Sequence, residues 1–199
     1  MENVSETRLS HAKFKMPTPA QIVDAIEVIV GVVRNIALKR ALAEVEPDPH
    51  LNFWRVMHGN AMDMAVLEWC KLFGLDGDVQ SVHWKAVFDD HDAFRDGLLQ
   101  HLGLDGASWR DYWTEMRTYR DQYVAHLDAK RAADAYPELG TALASATFYY
   151  QELLSLLRAE GIERYPSDLA DYYEQFRVQA LDVATRATGA TRGIEERVR

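Results

Sequence analysis

The feature that most constrains the fold is the spacing of apolar residues, which recur at intervals of three and four over several long stretches. That spacing puts them on one face of an α-helix, because a helix turns once every 3.6 residues. No stretch of useful length alternates apolar and polar residues with a period of two, and no hairpin turn separates two β-rich runs. The sequence therefore predicts an all-α fold.

Proline and glycine residues divide the chain into five long amphipathic segments and a less regular middle part. Thr18-Pro19 is a typical helix start, with threonine as the cap and proline in the first turn. Two short helices are expected near 82–88 and 92–102. The predicted long helices cover about 18–45, about 51–73, a third capped by Ser108 and continuing to Leu127, a fourth from Tyr136-Pro137 to Gly161, and a fifth from Tyr165-Pro166-Ser167.

Together these helices predict an antiparallel bundle of four to five long helices in one domain. A chain of 199 residues is long enough to bury one core of ordinary size. The expected domain covers residues 18–188. A flexible N-terminal arm over 1–17 and a polar C-terminal tail over 189–199 are expected to flank it.

Composition narrows the classes of function. A net charge of −9 and a pI near 5.2 argue against a large basic face that coats nucleic acid, but not against a local grip on RNA. The single cysteine, Cys70, excludes a disulfide framework and a thiolate zinc cluster. No apolar stretch reaches the roughly 20 residues of a membrane span, and the first residues lack the apolar region of a secretory signal. The expected compartment is the cytoplasm, without a membrane partner.

One segment, residues 117–128 (R-T-Y-R-D-Q-Y-V-A-H-L-D), places charge within an apolar helical face. On a straight helix, Arg120 lies about 60° to one side of Tyr123 and His126 about 60° to the other. Arginine in such a place is unfavourable unless it meets a carboxylate, a phosphate or a second chain. Two interpretations stay open at this point: an ion pair from Arg120 to an acid on another helix, or a functional pair of Arg120 and His126.

The spacing alone does not decide between them, because it occurs a second time. Arg95 and His101 are also six residues apart, and an aspartate again follows the arginine. This copy lies in a short, glycine-containing segment that ends at Gly103, and we interpret it as a coincidence.

The nine residues R-D-Q-Y-V-A-H-L-D resemble the signature of HEPN domains, which are small helical bundles. Alanine before the histidine and aspartate two positions after it are similar to the AbiU-like branch of abortive-infection proteins. The resemblance covers about residues 18–160, and its specific part is the motif. It implies a metal-independent endoribonuclease without a cofactor, acting as a homodimer on RNA in a toxin–antitoxin or phage-defence system. An antitoxin or another protein would be a further partner.

Carried over onto this sequence, Arg120 and His126 match the catalytic pair of that family, and Asp121 matches its polar position. Some family members have lost activity and bind only nucleotides or partners. The resemblance therefore leaves a catalytically inactive binding or regulatory protein as the alternative.

The residue types suit RNA cleavage by the ribose 2′-hydroxyl, which yields a cyclic phosphate. Histidine has a pKa near 6.5 and can accept that proton or donate one to the leaving oxygen. An arginine fork can hold the negatively charged phosphorane, and no metal is required. Arg117, Lys130 and Arg131 add positive charge nearby, where they either contact flanking phosphates or form a solvated helix end.

A rival site is the run F-D-D-H-D-A-F at 88–94, with His83 just upstream, because these are metal-ligand types. Adjacent residues on a helix point in different directions, however, and no His–Glu pair repeats at the spacing of a di-iron bundle. We interpret the run as an acidic helix N-terminus and expect no functional metal. A homodimer is also expected from the wide aromatic face of 109–127, which exceeds what one side of a bundle needs.

Overall fold

The computed structural model describes residues 17–46, 51–74, 80–125, 136–159 and 161–197. These residues form helices and no strand, so the all-α prediction is confirmed. In chain order the elements are α1 (Pro19–Ala43), α2 (Asn52–Phe73), α3 (Trp84–Val87), α4 (His91–Leu102), α5 (Gly106–Tyr119), a π-helical segment (Arg120–Ala125) that continues α5, α6 (Gly140–Ala159) and α7 (Leu169–Thr191).

Side-chain caps decide where the helices begin. Thr18 caps α1 as predicted: its hydroxyl accepts the N–H of Gln21, and the Gln21 side chain accepts the N–H of Thr18. The predicted cap of α5 at Ser108 is wrong. The carboxylate of Asp105 accepts the N–H of Ser108 at 2.7 Å, and α5 therefore begins at Gly106.

The last two long helices begin later than the proline signals indicate. The carboxylate of Glu138 accepts the N–H groups of Gly140 and Thr141, so α6 begins at Gly140. The carboxylate of Asp168 likewise caps α7. In both cases an acidic side chain one or two residues after the proline satisfies the first N–H groups, which have no partner within the helix.

α1 lies at the centre of the bundle and contacts α2, α6 and α7. It runs antiparallel to α2. Asp24, near the start of α1, lines a groove with Lys71, near the end of α2. At the other end of the pair, Leu42 and Trp54 belong to one apolar cluster. The buried positions of α1 are Ile22, Ala25, Ile26, Ile29, Val32, Val33, Ile36, Ala37, Ala41 and Leu42.

α7 packs on α1 in the parallel direction. Arg34 donates a hydrogen bond to the hydroxyl of Tyr172, and Glu44 pairs with Arg177 further along both helices. An up-and-down arrangement of five long helices leaves the first and the fifth pointing the same way, so a contact between them must be parallel. α7 continues to Thr191, beyond the predicted end of the domain at 188.

The remaining core joins α2, α5 and α6 through large aromatic residues. The fully buried Trp69 donates from its indole N–H to the hydroxyl of Ser145 at 2.9 Å. The hydroxyl of the buried Tyr149 donates to the carbonyl of Val82 at 3.0 Å. These bonds satisfy polar atoms that burial would otherwise leave without a partner. None of the described helices has both the length and the apolar character that crossing a membrane requires.

Candidate functional site

One face of α5 attaches the motif to the core. Tyr112, Met116 and Tyr119 recur at helical spacing and are buried, as the apolar pattern predicts. The hydroxyl of Tyr119 donates to a carboxylate oxygen of Asp63 at 2.7 Å. Because α2 and α5 run antiparallel, this bond brings the C-terminal end of α5 to the middle of α2.

The remaining large aromatic residues of α5 are also used within the chain. Trp109 packs against Trp69 and Phe73, with ring centroids 5.9 Å apart in both pairs. The indole N–H of Trp113 donates to the carbonyl of Phe73 at 2.7 Å. Much of the aromatic surface that motivates the homodimer prediction therefore lies against other helices of the same chain, and the homodimer stays a prediction.

The helix changes character at the motif. From Arg120 to Ala125 the backbone is π-helical and packs against α2. A π-helix has its hydrogen bonds between residues five apart, so side-chain directions calculated for a straight α-helix do not hold beyond Arg120. The straight α-helix expected here is wrong. The rings of Tyr119, at the end of α5, and Tyr123, within the π-helical segment, stack with centroids 4.9 Å apart. Single turns of π-helix are frequent at functional sites.

The guanidinium of Arg120 is half-buried, with its side chain 18% exposed. Its Nε and Nη2 atoms both donate to one carboxylate oxygen of Asp121, at 2.8 and 2.7 Å. The ion pair is therefore formed with the neighbouring residue of the motif. A purely structural role for Arg120 requires an ion pair with an acid on another helix. In the described part of the chain, Arg120 makes no such pair.

Cys70 of α2 faces this guanidinium. Burial raises the pKa of the Cys70 thiol to about 11, while the charge of Arg120 and its hydrogen bond to the sulfur act in the opposite direction. The thiol is neutral near pH 7 and behaves as a small buried hydrophobe, as expected from its apolar neighbours in sequence. Arg120 thus lies between a carboxylate of its own helix and the surface of α2.

The other basic residues of the motif region are Arg117, His126, Lys130 and Arg131, and the structure describes only the first of them. The guanidinium of Arg117 lies 4.3 Å from the centroid of the Trp113 ring, in a cation–π contact, and is half-buried. It is therefore not part of a solvated helix end. His126, Lys130 and Arg131 lie outside the described residues. The structure brings together Arg120, Asp121 and Cys70.

The acidic run at 88–94 is a helix N-terminus, and that interpretation is confirmed. Asp90 caps α4 by accepting the N–H of Ala93 at 2.9 Å, and Asp92 pairs with Arg95 at 2.9 Å. The Nε2 atom of His91 lies 2.9 Å from the carbonyl oxygen of Lys85. Within the five described stretches, no group of three or more His, Cys, Asp or Glu side chains is placed to hold a metal ion.

A second feature is absent from the sequence-based predictions. A cavity of about 990 Å³ lies between α3, α4 and the first turns of α5. Its lining includes three tryptophans and three cations: Trp84, Trp109, Trp113, Lys85, Arg95 and Arg110. Its walls come from α3, α4, α5 and the last residue of α2, Phe73, so no single stretch of sequence contains the pattern. The local signal is the pair Trp109 and Trp113, four residues apart on α5 and part of the aromatic face of 109–127.

No family model, curated protein or solved structure matches this chain. A functional proposal therefore depends on the motif, on the geometry around it and on the cavity.

Proposed function

We propose that this chain is a HEPN-like, metal-independent endoribonuclease of a toxin–antitoxin or phage-defence system. The observation that supports the proposal most is the environment of Arg120. Its guanidinium is half-buried at the start of a π-helical segment and is held by Asp121, the polar residue of the same motif. A buried structural cation is expected to pair with an acid across the core, whereas a functional one needs donors left over for a ligand.

In the proposed reaction, the ribose 2′-hydroxyl attacks the adjacent phosphorus and the bond from phosphorus to the 5′-oxygen breaks. The products end in a 2′,3′-cyclic phosphate and a 5′-hydroxyl. His126 accepts the proton of the 2′-hydroxyl or donates one to the leaving 5′-oxygen, and water carries the other of these two proton transfers. Arg120 stabilises the additional negative charge on the phosphorane oxygens.

Asp121 acts as a positioning residue in this mechanism. One of its oxygens holds both Nε and Nη2 of Arg120, which fixes the plane of the guanidinium. These bonds engage two of the five N–H groups, and others can then approach a phosphate. Near the same helix face, Arg117 adds a second positive charge.

The proposal includes a homodimer, in which the motifs of two copies lie across one cleft and an arginine of one chain meets a histidine of the other. On α2, the helix that contacts the π-helical segment, Phe53, Val56 and Met64 are exposed at helical spacing and offer apolar surface for a second copy. Light scattering at micromolar concentration should give twice the chain mass of 22.7 kDa. A mass of 22.7 kDa would contradict the dimer.

The decisive experiment is cleavage of labelled RNA by purified protein. Wild type should cleave in the presence of EDTA and leave 2′,3′-cyclic phosphate ends. Arg120→Ala and His126→Ala should each remove nearly all cleavage. The double variant should be little worse than either single variant, because groups that act on one phosphate are strongly non-additive. His101→Ala is the matched control and should cleave as wild type.

Circular dichroism of each variant separates chemistry from folding. If Arg120→Ala melts the fold while His126→Ala cleaves as wild type, Arg120 is a structural ion-pair residue and the ribonuclease proposal is wrong.

A second candidate is a catalytically inactive binding or regulatory protein, with a nucleotide or protein as partner. Two observations favour it: Arg120 already has a carboxylate partner, and the cavity lined by Trp84, Trp109 and Trp113 includes no residue of the motif. Wild-type protein that binds a ligand but leaves RNA intact would support this candidate over the first.

A further inference from the structure

A groove lies between α4 and α6, beside the start of α1. Its volume is about 390 Å³, near the lower end of the usual range of roughly 300–1,000 Å³ for ligand pockets. Pro17, two residues before the first residue of α1, is part of its wall. The residues that precede Pro17 in the chain are therefore attached at the edge of this α4–α6 groove.

The wall of the α4–α6 groove is mostly apolar, and part of it is open to solvent. Phe88 and Leu156 are half-buried, and Ala93 is exposed. Behind them, the rings of Phe94 and Phe148 are buried and pack edge to face, with centroids 5.2 Å apart. The open part of the wall favours an apolar occupant, because covering apolar surface removes it from water.

The same groove is negatively charged. Asp89, Asp90 and Glu152 belong to its wall, and none of its described wall residues is lysine, arginine or histidine. The carboxylate of Asp90 already caps α4. Glu152 is half-buried and, over the described residues, is in no ion pair. A half-buried carboxylate in this situation favours a positively charged occupant.

The residues just before Pro17 combine both properties. Residues 13–16 read K-F-K-M, two apolar and two positively charged side chains, and they lie outside the described residues. Proline disfavours the helical conformation at the residue before it, so the sequence predicts an extended backbone here. In an extended chain Phe14 and Met16 share one side, and the lysines have stems long enough to bring their charges to a rim.

We propose that residues 13–16 of this chain occupy the α4–α6 groove, with Phe14 and Met16 on its apolar wall and both lysines at its carboxylates. A phenyl ring and a thioether both pack favourably against phenylalanine rings. An extended chain rises about 3.3 Å per residue, so Phe14 is at most about 10 Å from Pro17, which already lines the groove. Attachment to the chain gives the segment a millimolar effective concentration, so a modest affinity is enough.

In this position, residues 13–16 act as a strap that connects the start of α1 to α4 and α6. No described residue of the motif lines the groove. The strap is therefore independent of the ribonuclease proposal, and it is tested without RNA.

Carbodiimide coupling of the wild-type chain, followed by peptide mass spectrometry, tests the contact. The reagent joins an amine to a carboxylate without a spacer, so the two groups must be in contact. The lysines of the segment should couple to the carboxylates of the groove at least about tenfold more than to Asp24 and Glu27. These two carboxylates lie on α1 within about three turns of Pro17 and line a different groove, so an undocked arm would reach them as readily. Equal coupling to both sets would overturn the proposal.

A variant of the full chain tests the apolar anchor. Phe14→Asp should reduce coupling to the groove at least about tenfold, because it places a negative charge against an acidic, apolar wall. Leu9→Asp is the matched control, since it makes the same change in the same arm outside the segment, and coupling should stay as in wild type. Circular dichroism checks that both variants are folded. The same coupling in Phe14→Asp as in Leu9→Asp would exclude Phe14 as an anchor.

A fluorescent peptide with the sequence of residues 10–17 distinguishes an occupant within the chain from a segment of another protein. Fluorescence anisotropy should show that it binds Phe14→Asp at least about tenfold more tightly than wild type, whose own segment fills the groove. Adding Glu152→Lys to Phe14→Asp should weaken this binding at least about fivefold, because an attraction becomes a repulsion.

Each other result of the peptide experiment contradicts the strap. Equal binding to wild type and Phe14→Asp would mean that the groove is open to a partner. No binding at millimolar concentration would mean that the segment is too weak to dock even when attached. Binding that is insensitive to Glu152→Lys would place the peptide elsewhere.

Discussion

Two segments of this chain share one pattern, an arginine followed by aspartate with a histidine six residues after the arginine, and the fold treats them differently. Arg95 lies on the outer side of α4, with its side chain 51% exposed, and pairs with Asp92 and Asp96. Arg120 is 18% exposed, lies in a π-helical segment against α2 and pairs with Asp121. Spacing in sequence is identical, yet only Arg120 is held against a packed surface.

The difference teaches that burial, and not spacing, separates a surface charge from a candidate for chemistry. An exposed ion pair within one helix contributes little, because water solvates both partners. A half-buried guanidinium has lost part of its hydration, which is unfavourable. The few hydrogen-bond acceptors within reach therefore determine its orientation. The predictions below test whether this contrast in surroundings produces a contrast in behaviour.

The largest expected difference is in catalysis. His126→Ala should reduce RNA cleavage by about 10²- to 10⁴-fold, the usual contribution of a general acid or base. His101→Ala, at the same position in the other segment, should change the rate less than about twofold, since its ring lies near Phe148 and away from the motif. Single-turnover cleavage of labelled RNA measures both. Equal losses in the two variants would remove the distinction between the segments.

The next largest difference concerns stability on α5 itself. Met116→Ala should lower the free energy of unfolding by about 2–5 kcal/mol, because it leaves a cavity at a fully buried position. Arg120→Ala, four residues on, should cost about 1 kcal/mol or less, because the Asp121 carboxylate that loses its partner remains partly hydrated. Urea unfolding followed by circular dichroism compares them. A cost at Arg120 as large as that at Met116 would make this arginine a core residue.

A smaller difference is expected between the two aspartates. Asp121→Ala should cost about 1 kcal/mol, because a half-buried guanidinium loses a doubly donated hydrogen bond. Asp92→Ala should cost less than about 0.5 kcal/mol, because its pair with Arg95 is exposed. Thermal or urea unfolding at low salt is the measurement. If both changes cost the same, the greater burial of Arg120 has no energetic consequence.

The smallest expected effect is on the ionisation of the Cys70 thiol. Burial raises the pKa of this thiol from 9.0 to about 11. As pH rises, the unfolded chain loses the thiol proton at a lower pH than the folded chain does. The stability that the buried thiol contributes is therefore complete below pH 9 and falls as pH rises towards 11. Cys70→Ala should flatten the fall between pH 9 and 10, before the tyrosines add to it. Arg120→Ala should raise the thiol pKa further, because it removes the cation that opposes the rise.

Arg95→Ala is the control for that last measurement and should leave the Cys70 pKa unchanged. Thiolate absorbance, taken as the difference from Cys70→Ala, gives the pKa in each background. An identical pKa in wild type and Arg120→Ala would show that the guanidinium does not act on the sulfur.

Much of the architecture could be predicted because its causes are local. Thr18-Pro19 begins α1 through contacts that span three residues, and the buried positions of α5 follow directly from the helical period. The helix starts predicted at Ser108 and at Tyr136-Pro137 are wrong. The carboxylates of Asp105 and Glu138 accept the first helical N–H groups and so determine where these two helices begin.

The sequence by itself determined the helices, the face that each buries and the presence of an arginine on an apolar face, because these depend on neighbours within a turn or two. Only the tertiary structure decided that Arg120 pairs with Asp121 beside Cys70, that the helix widens there against α2, and that three tryptophans meet three cations in one cavity. These features join residues from separate helices. Their geometry is set by how whole helices pack, which no periodicity within one helix specifies.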